Sequence, residues 1–438
     1  MPKPLPNFQR FFNTEALGGL LLVLCGIAAL VVANSPLAER YHGLWSTVLV
    51  VGPPTHPLSL TLHQWINDAL MSIFFLLVGL EIKRELIAGE LSLPKQAALP
   101  IAGAIGGMVL PAMLYWIINP RGDGAGGWGI PMATDIAFAL GALSLIAPNA
   151  PTGAKVFLVA LAIVDDMGAV LVIALFYTAS MAWGALGSAG AITALLIGLN
   201  MGGFRKLWPY LTLGMVLWVF VHESGVHATI AGVVLAFTIP TRTRINAVEF
   251  SREARTLLDE FDRTETGDFL VLTSKGQQEA LFALEHASEA VNAPLLRLEH
   301  ALHNFTAFMV MPLFAFANAG VTLGGDIQYP SVTTGAIVGL VLGKPLGITL
   351  ASWLAIRTGV AALPEEVALR TLHGYSWLGG IGFTMSLFIA MLAFDDPALL
   401  DSAKIGILVA SVLAAVCATV ILRFVPGTNI SGAARDHV

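Results

Sequence analysis

The sequence predicts an all-α polytopic membrane protein with twelve transmembrane helices, and three observations carry that expectation. Of 438 residues 56% are hydrophobic and only 12% charged, with a mean hydropathy of +0.77, whereas soluble domains carry about 25% charge. Apolar runs long enough to span a bilayer, about 20 residues each, recur along the chain between short polar or Pro/Gly-bearing turns. The Lys and Arg residues, 23 in all, fall strongly on alternate loops. Other classes are disfavoured. The net charge of -6 comes without a basic block, so no nucleic-acid partner is expected. Cys25 and Cys417 lie in separate apolar runs, which gives neither a disulfide framework nor a zinc cluster. The run Ala16 to Ala33 is too long for a signal-peptide core and reads as the first helix.

In order, the expected spans are 12-33, 62-82, 97-118, 125-146, 153-178, 182-200, 206-222, 224-240, 299-319, 332-356, 372-393 and 399-422. Nineteen Lys/Arg fall on the loops of one side and three on the other, with Lys344 inside the membrane. That bias places both termini in the cytoplasm. The outer loop 36-61 holds Ser46 to Val51, a Gly52-Pro53-Pro54 turn and Leu58 to Leu62, the pattern of a short β-hairpin that can present an edge to a second subunit. The cytoplasmic loop 241-298 is charged and reads as a solvated insertion, with amphipathic helices over 249-263 and 277-291.

Charges inside the spans carry the functional argument. Asp165 and Asp166 interrupt an apolar run, and Asp135 and Lys344 each lie ten to twelve residues into theirs. At about 1.5 Å per residue that is some 15 Å, half of a roughly 30 Å hydrocarbon core. Intramembrane charge costs roughly 2.5 to 3.5 kcal/mol per group and marks ion or proton pathways. Span four carries Trp128-Gly-Ile-Pro131-Met-Ala-Thr134-Asp135, and span eleven carries Leu378-Gly379-Gly380-Ile-Gly382-Phe-Thr384. Both are therefore expected to be interrupted near mid-depth, within inverted repeats made of helices 3-5 and 10-12. Where they cross, Asp135 would offset half-helix N-termini and Lys344 the C-termini, while Thr134 and freed carbonyls supply oxygen. Asp165 and Asp166 stand about 100° apart around a helix, so one faces a cavity and the other turns to Lys344. Protons and a hard monovalent cation such as Na+ then compete for the Asp165 and Asp166 oxygens.

Several blocks resemble one family: Trp65-Ile-Asn-Asp-Ala-Leu-Met71, Phe74 through Glu81-Ile-Lys83-Arg84-Glu85-Leu86, Ala133 to Leu140, Ala160 to Asp166, Gly225-Val-His-Ala-Thr229, Pro312 to Gly320, Gly343-Lys-Pro-Leu-Gly347 and Gly380 to Ser386. Together they are similar to bacterial NhaA-type sodium/proton antiporters, themselves a type example of inverted repeats with broken helices. The resemblance implies an inner-membrane, multi-pass homodimer that exchanges cytoplasmic Na+ or Li+ for external H+, electrogenically and under pH control. It needs no cofactor and is not an enzyme. On matching positions it implies Asp165 and Asp166 as cation and proton carriers, Asp135 and Thr134 as the helix-crossing site, and Lys344 as its counter-charge; on its chemistry alone Lys344 could equally carry a proton directly. It implies Glu81, Arg84, Glu85, Glu299, His300 and His303 as pH-sensing candidates at the cytoplasmic mouth. His227 is a further candidate, with a packing role as its plainer explanation. Two departures stand out: the insertion before Arg297, and Asn304-Phe305 where the family has a Trp-containing step.

Alternatives from other classes are a passive cation channel and a proton-coupled organic-anion transporter on the same scaffold. The run Gly339 to Pro345 imitates a phosphate-binding loop but is one residue short between its glycines, and Pro345 replaces the Ser or Thr; no nucleotide is expected. Asp68 is expected to be a helix N-terminal charge at the outer surface.

Overall fold

Long apolar helices that cross one another at glycine contacts dominate the computed structural model. It describes residues 6-52, 57-148, 150-178, 181-243, 245-263, 274-322, 328-364 and 367-424. Among these, seven helices are long and apolar enough to cross a membrane, or up to ten if each sharply bent pair is one span.

The first helix, α1 (Pro6–Ala33), turns by 117° into the short α2 (Ala38–Trp45). Tyr41 and Trp45 of α2 pack edge-on against Phe316. Strands β1 (Val48–Val51) and β2 (Leu58–Thr61) pair antiparallel with Val48 opposite Thr61, and all four β1 residues are exposed. The expected Pro53-Pro54 turn lies outside the described residues, as do Lys3 and Arg435 of the tails. Thr61 then caps α3 (Leu62–Ala88) in a reciprocal pair with Gln64. Next come α4 (Pro94–Ile118), a 3-10 segment Asp123–Met132, α5 (Ile136–Ile146), α6 (Thr152–Phe176), α7 (Trp183–Met201), α8 (Leu207–Glu223) and α9 (Ile230–Thr238). The insertion forms α10 (Ala247–Arg263) and α11 (Lys275–Val291), packed on each other and tied to the next helix by a Glu289–Arg297 ion pair at 2.7 Å. The chain ends with α12 (Pro294–Asn318), α13 (Pro330–Arg357), α14 (Leu369–Gly380), α15 (Phe383–Ala393) and α16 (Pro397–Phe424).

Two bends position the site. The 3-10 segment meets α5 at 48° and α14 meets α15 at 49°, each across extended residues at mid-span: Ala133 and Asp135 in one, Ile381 in the other. Pro131 explains part of the first break, since a proline cannot donate to the ladder. In α13 the turn Gly339–Gly343 is π-helical. Pro345 follows two residues later, removing a ladder donor and letting the hydrogen bonds slip by one residue. The same arrangement recurs in α12, where the π turn Thr306–Val310 precedes Pro312.

Lys344 is delivered to the molecular centre by a backbone-to-backbone crossing of α4 and α13. A Cβ on Gly347 would stand 2.1 Å from Gly106 O, and one on Gly343 would stand 2.6 Å from Pro111 Cα. Small residues are what allow membrane helices to approach so closely. Gly347→Val is therefore expected to lower the apparent Tm in detergent or prevent folding, since overpacking costs about 1 to 3 kcal/mol. Gly198→Ala, where nothing lies within 4 Å, should leave Tm within about a degree, consistent with an exposed helix glycine.

The structure corrects three readings of helix ends. α3 continues to Ala88, so Lys83 is a buried helix residue rather than part of a polar loop. Asp68 is seven residues past the Thr61 cap, in a π turn, and faces His222 and His227 at 3.8 and 3.9 Å instead of capping a helix. His227 lies in the turn before α9, not within a helix.

Candidate functional site

The two breaks meet, and their backbone polar groups are satisfied by each other. Asp135 N donates to Ile381 O at 2.8 Å, and Thr134 Oγ1 donates to Gly379 O at 2.9 Å. The Asp135 carboxylate caps both second halves: Oδ1 accepts from Phe138 N of α5 at 3.0 Å, and Oδ2 accepts from Thr384 N of α15 at 3.1 Å and from the Thr384 hydroxyl. One negative charge thus faces two helix N-termini, each equivalent to roughly half a positive charge. Ser386 Oγ donates to Ile130 O, a carbonyl of the 3-10 segment, at 2.8 Å.

On the other side of the crossing Lys344 Nζ donates to Asp165 Oδ2 at 2.5 Å and to Met132 O, the last carbonyl of the 3-10 segment. The ammonium therefore offsets a half-helix C-terminus and one carboxylate together. Asp135, Asp165, Asp166 and Lys344 are 0%, 2%, 1% and 1% exposed. Such a buried pair contributes little net stability, because desolvation consumes the Coulomb gain.

Asp166 is different. Both its oxygens are buried without a hydrogen-bond partner among the described residues. Three carboxylates and one ammonium share this centre. Asp135 is offset by helix ends and Asp165 by Lys344, which leaves the charge on Asp166 unbalanced. It lines a cavity of about 80 Å³ together with Asp135, Glu81, Arg84, His303 and Thr306. A buried carboxylate without a hydrogen-bond partner is costly to keep charged, and a proton or a cation at this position would remove that cost.

The structure brings most of the expected mouth residues together. Arg84 pairs with Glu85 at 3.0 Å and with Glu299, while Glu81 and His303 line the cavity. Glu85 also accepts from Glu90 N at 3.0 Å. Glu299 Oε2 is buried and unpartnered among the described residues. His300 is exposed and is not among the residues lining the cavity. His227 belongs to a separate cluster, with Nδ1 2.8 Å from Thr229 Oγ1 and its ring edge-on to Phe388. The Thr134 hydroxyl hydrogen is committed to Gly379 O, leaving only its lone pairs for another partner.

Two contributors lie outside the expected set. Thr384 gives Asp135 two hydrogen bonds; its place in the glycine-rich break was visible, but its partner was not. Lys83 donates to Phe237 O at 2.7 Å and Ile239 O at 2.5 Å, closing the C-terminus of the nine-residue α9 against α3.

A family model described as Na+/H+ antiporter 1 matches residues 9–422. The chain belongs to this family. A protein called Na(+)/H(+) antiporter NhaA from Oleidesulfovibrio alaskensis is 50% identical over 415 residues, covering 94% of this chain and 92% of the relative. Proteins of the same description from Wolinella succinogenes and Syntrophobacter fumaroxidans are each 47% identical, over 92% and 96% of this chain and 90% of each relative. The two breaks and the Asp165–Lys344 pair lie within the matched residues 9–422.

Proposed function

We propose that this chain is a secondary active Na+/H+ antiporter of a bacterial inner membrane, with twelve spans, cytoplasmic termini and inverted repeats over helices 3-5 and 10-12. One observation carries the reading: at the crossing of two broken helices, Asp166 is a buried carboxylate whose oxygens have no hydrogen-bond partner among the described residues, while the nearby Lys344 is already bonded to Asp165. Na+ or Li+ binds there with Asp165, and a proton takes the same position when the cation leaves. Asp135 and Thr134 hold the crossing, and Lys344 releases Asp165 when a cation arrives. A second proton travels on that pair, which makes the exchange electrogenic.

Family membership supports sodium and protons as the transported ions. A cavity of about 80 Å³ favours a small cation over an organic anion, since small-molecule sites occupy roughly 300 to 1,000 Å³. The cluster of Glu81, Arg84, Glu85, Glu299 and His303 at the cytoplasmic mouth is proposed to set the pH response. The exposed β1 edge is suited to pairing with a second copy, and the paired α10 and α11 form a solvated cytoplasmic insertion.

Everted vesicles with an acidified lumen provide the test. Added Na+ should collapse the pH gradient, and should do so when the voltage is clamped with K+ and an ionophore. A cation channel would dissipate voltage without moving protons, and that result would replace antiport by conduction.

A further inference from the structure

The break between α14 and α15 is braced from behind by a hydrogen-bond relay that the ion site does not use. His373 sits on α14, and both of its ring nitrogens are engaged. Trp377 Nε1 donates to Nε2 at 3.2 Å, and Nδ1 lies 2.8 Å from Thr349 Oγ1 of α13. An indole N–H can only donate, so Nε2 must present its lone pair and the single hydrogen of the neutral ring is on Nδ1. Nδ1–H therefore donates to Thr349 Oγ1, whose own hydrogen goes to Pro345 O at 2.7 Å. Ser376 closes the relay, 3.0 Å from Thr349 Oγ1 and donating to His373 O at 2.7 Å.

The ends of this relay are informative. Trp377 is two residues ahead of Gly379, whose carbonyl receives the Thr134 hydroxyl. Pro345 directly follows Lys344, which holds Asp165. We propose that His373 is a positioning residue: its neutral imidazole ties half-helix α14 to α13, so that the Gly379 and Ile381 carbonyls meet Thr134 and Asp135, and its protonation releases the tie. An imidazolium carries N–H on both nitrogens, so Nε2–H would confront the Trp377 N–H and that bond is lost. The tie is complete while the ring is neutral and fails on the acid side, once the ring takes up its second proton. This acid brake is separate from proton competition at Asp166.

No charge stands in for the ring. The elements packed against α14 carry Lys344 and Arg357 on α13, Lys155, Asp165 and Asp166 on α6, and Asp401, Lys404, Cys417 and Arg423 on α16, while α5 carries no titratable side chain. α14 itself has Arg370 and Tyr375. Among the described residues none of these forms an ion pair with His373.

The consequence for transport rests on the antiport reading; the tie itself does not. His373→Gln tests both, because its amide oxygen can accept from Trp377 and its amide nitrogen can donate to Thr349 without titrating. In proteoliposomes the variant should match wild type within about twofold at pH 8.5. At pH 5.5, where wild type begins to take up the second ring proton and the variant cannot, the variant should keep at least about twofold more of its maximal rate. His373→Arg, a fixed cation, should be slow at every pH. Apparent Tm in detergent, which needs no transport, should fall between pH 8 and 5.5 by several degrees more in wild type than in His373→Gln. Superimposable Tm curves would overturn the tie, and separate Tm curves with superimposable transport profiles would overturn its link to transport. Wild-type protein that moves no protons with Na+ at any pH would refute antiport, while the Tm comparison would still decide the tie.

Discussion

Asp166→Asn should abolish sodium-driven proton movement and leave the protein folded. The side chain keeps its shape but loses the negative charge that either a proton or a cation must neutralise, and the neighbouring carboxylates do not replace it: Asp135 is committed to two helix ends, Asp165 to Lys344, and Glu81 shares the cavity with the Arg84 guanidinium. Losing one partner of a buried charge pair costs about 3 to 5 kcal/mol, which converts to two to three and a half orders of magnitude in sodium affinity. Two measurements check this. In everted vesicles Na+ should no longer collapse the pH gradient, and in a weakly buffered detergent solution Na+ should no longer release protons. Apparent Tm should be unchanged or higher, because an unbalanced buried charge has been removed. Proton release at the wild-type level would take Asp166 out of the exchange and with it the reading of the cavity.

The centre of this protein was legible because charge in an apolar run has few explanations. Asp135, Asp165, Asp166 and Lys344 announce themselves by depth alone, and glycine, proline and threonine at mid-span mark the two breaks. The expected division of labour between neighbouring aspartates, one toward Lys344 and one toward a cavity, follows from helical rotation, and the structure identifies Asp165 as the paired member. What was not legible depends on tertiary partners. Lys83 looked like the start of a polar loop because a span was expected to stop before it, yet its ammonium closes the α9 C-terminus. Thr384 gains its role only where the breaks cross. The turn holding His227 was read as helix because the surrounding run is apolar on every side, so no periodicity marks where α9 begins. The pairing of His373 with Thr349 joins two helices through residues that no pattern in either helix distinguishes.

Lys344→Ala should be the most destabilising single change at the centre. It strips the Asp165 carboxylate of its cation and Met132 O of its donor, both within the buried crossing. Breaking such a pair costs about 3 to 5 kcal/mol, so apparent Tm should fall by roughly 6 to 20 °C at the about 2 to 4 °C per kcal/mol typical of larger domains. Replacing both partners by neutral groups is far cheaper than removing one, because no bare charge is left. The double variant Lys344→Ala with Asp165→Asn should therefore recover most of the lost Tm, a coupling that a double-mutant cycle reads directly. Additive losses, or a single variant within about a degree of wild type, would deny the pair its scaffolding role. The recovered double variant also separates scaffold from carrier. With Lys344 and the Asp165 charge gone, Asp166 alone is left to trade one proton for one cation, so any exchange that persists should no longer respond to an imposed voltage.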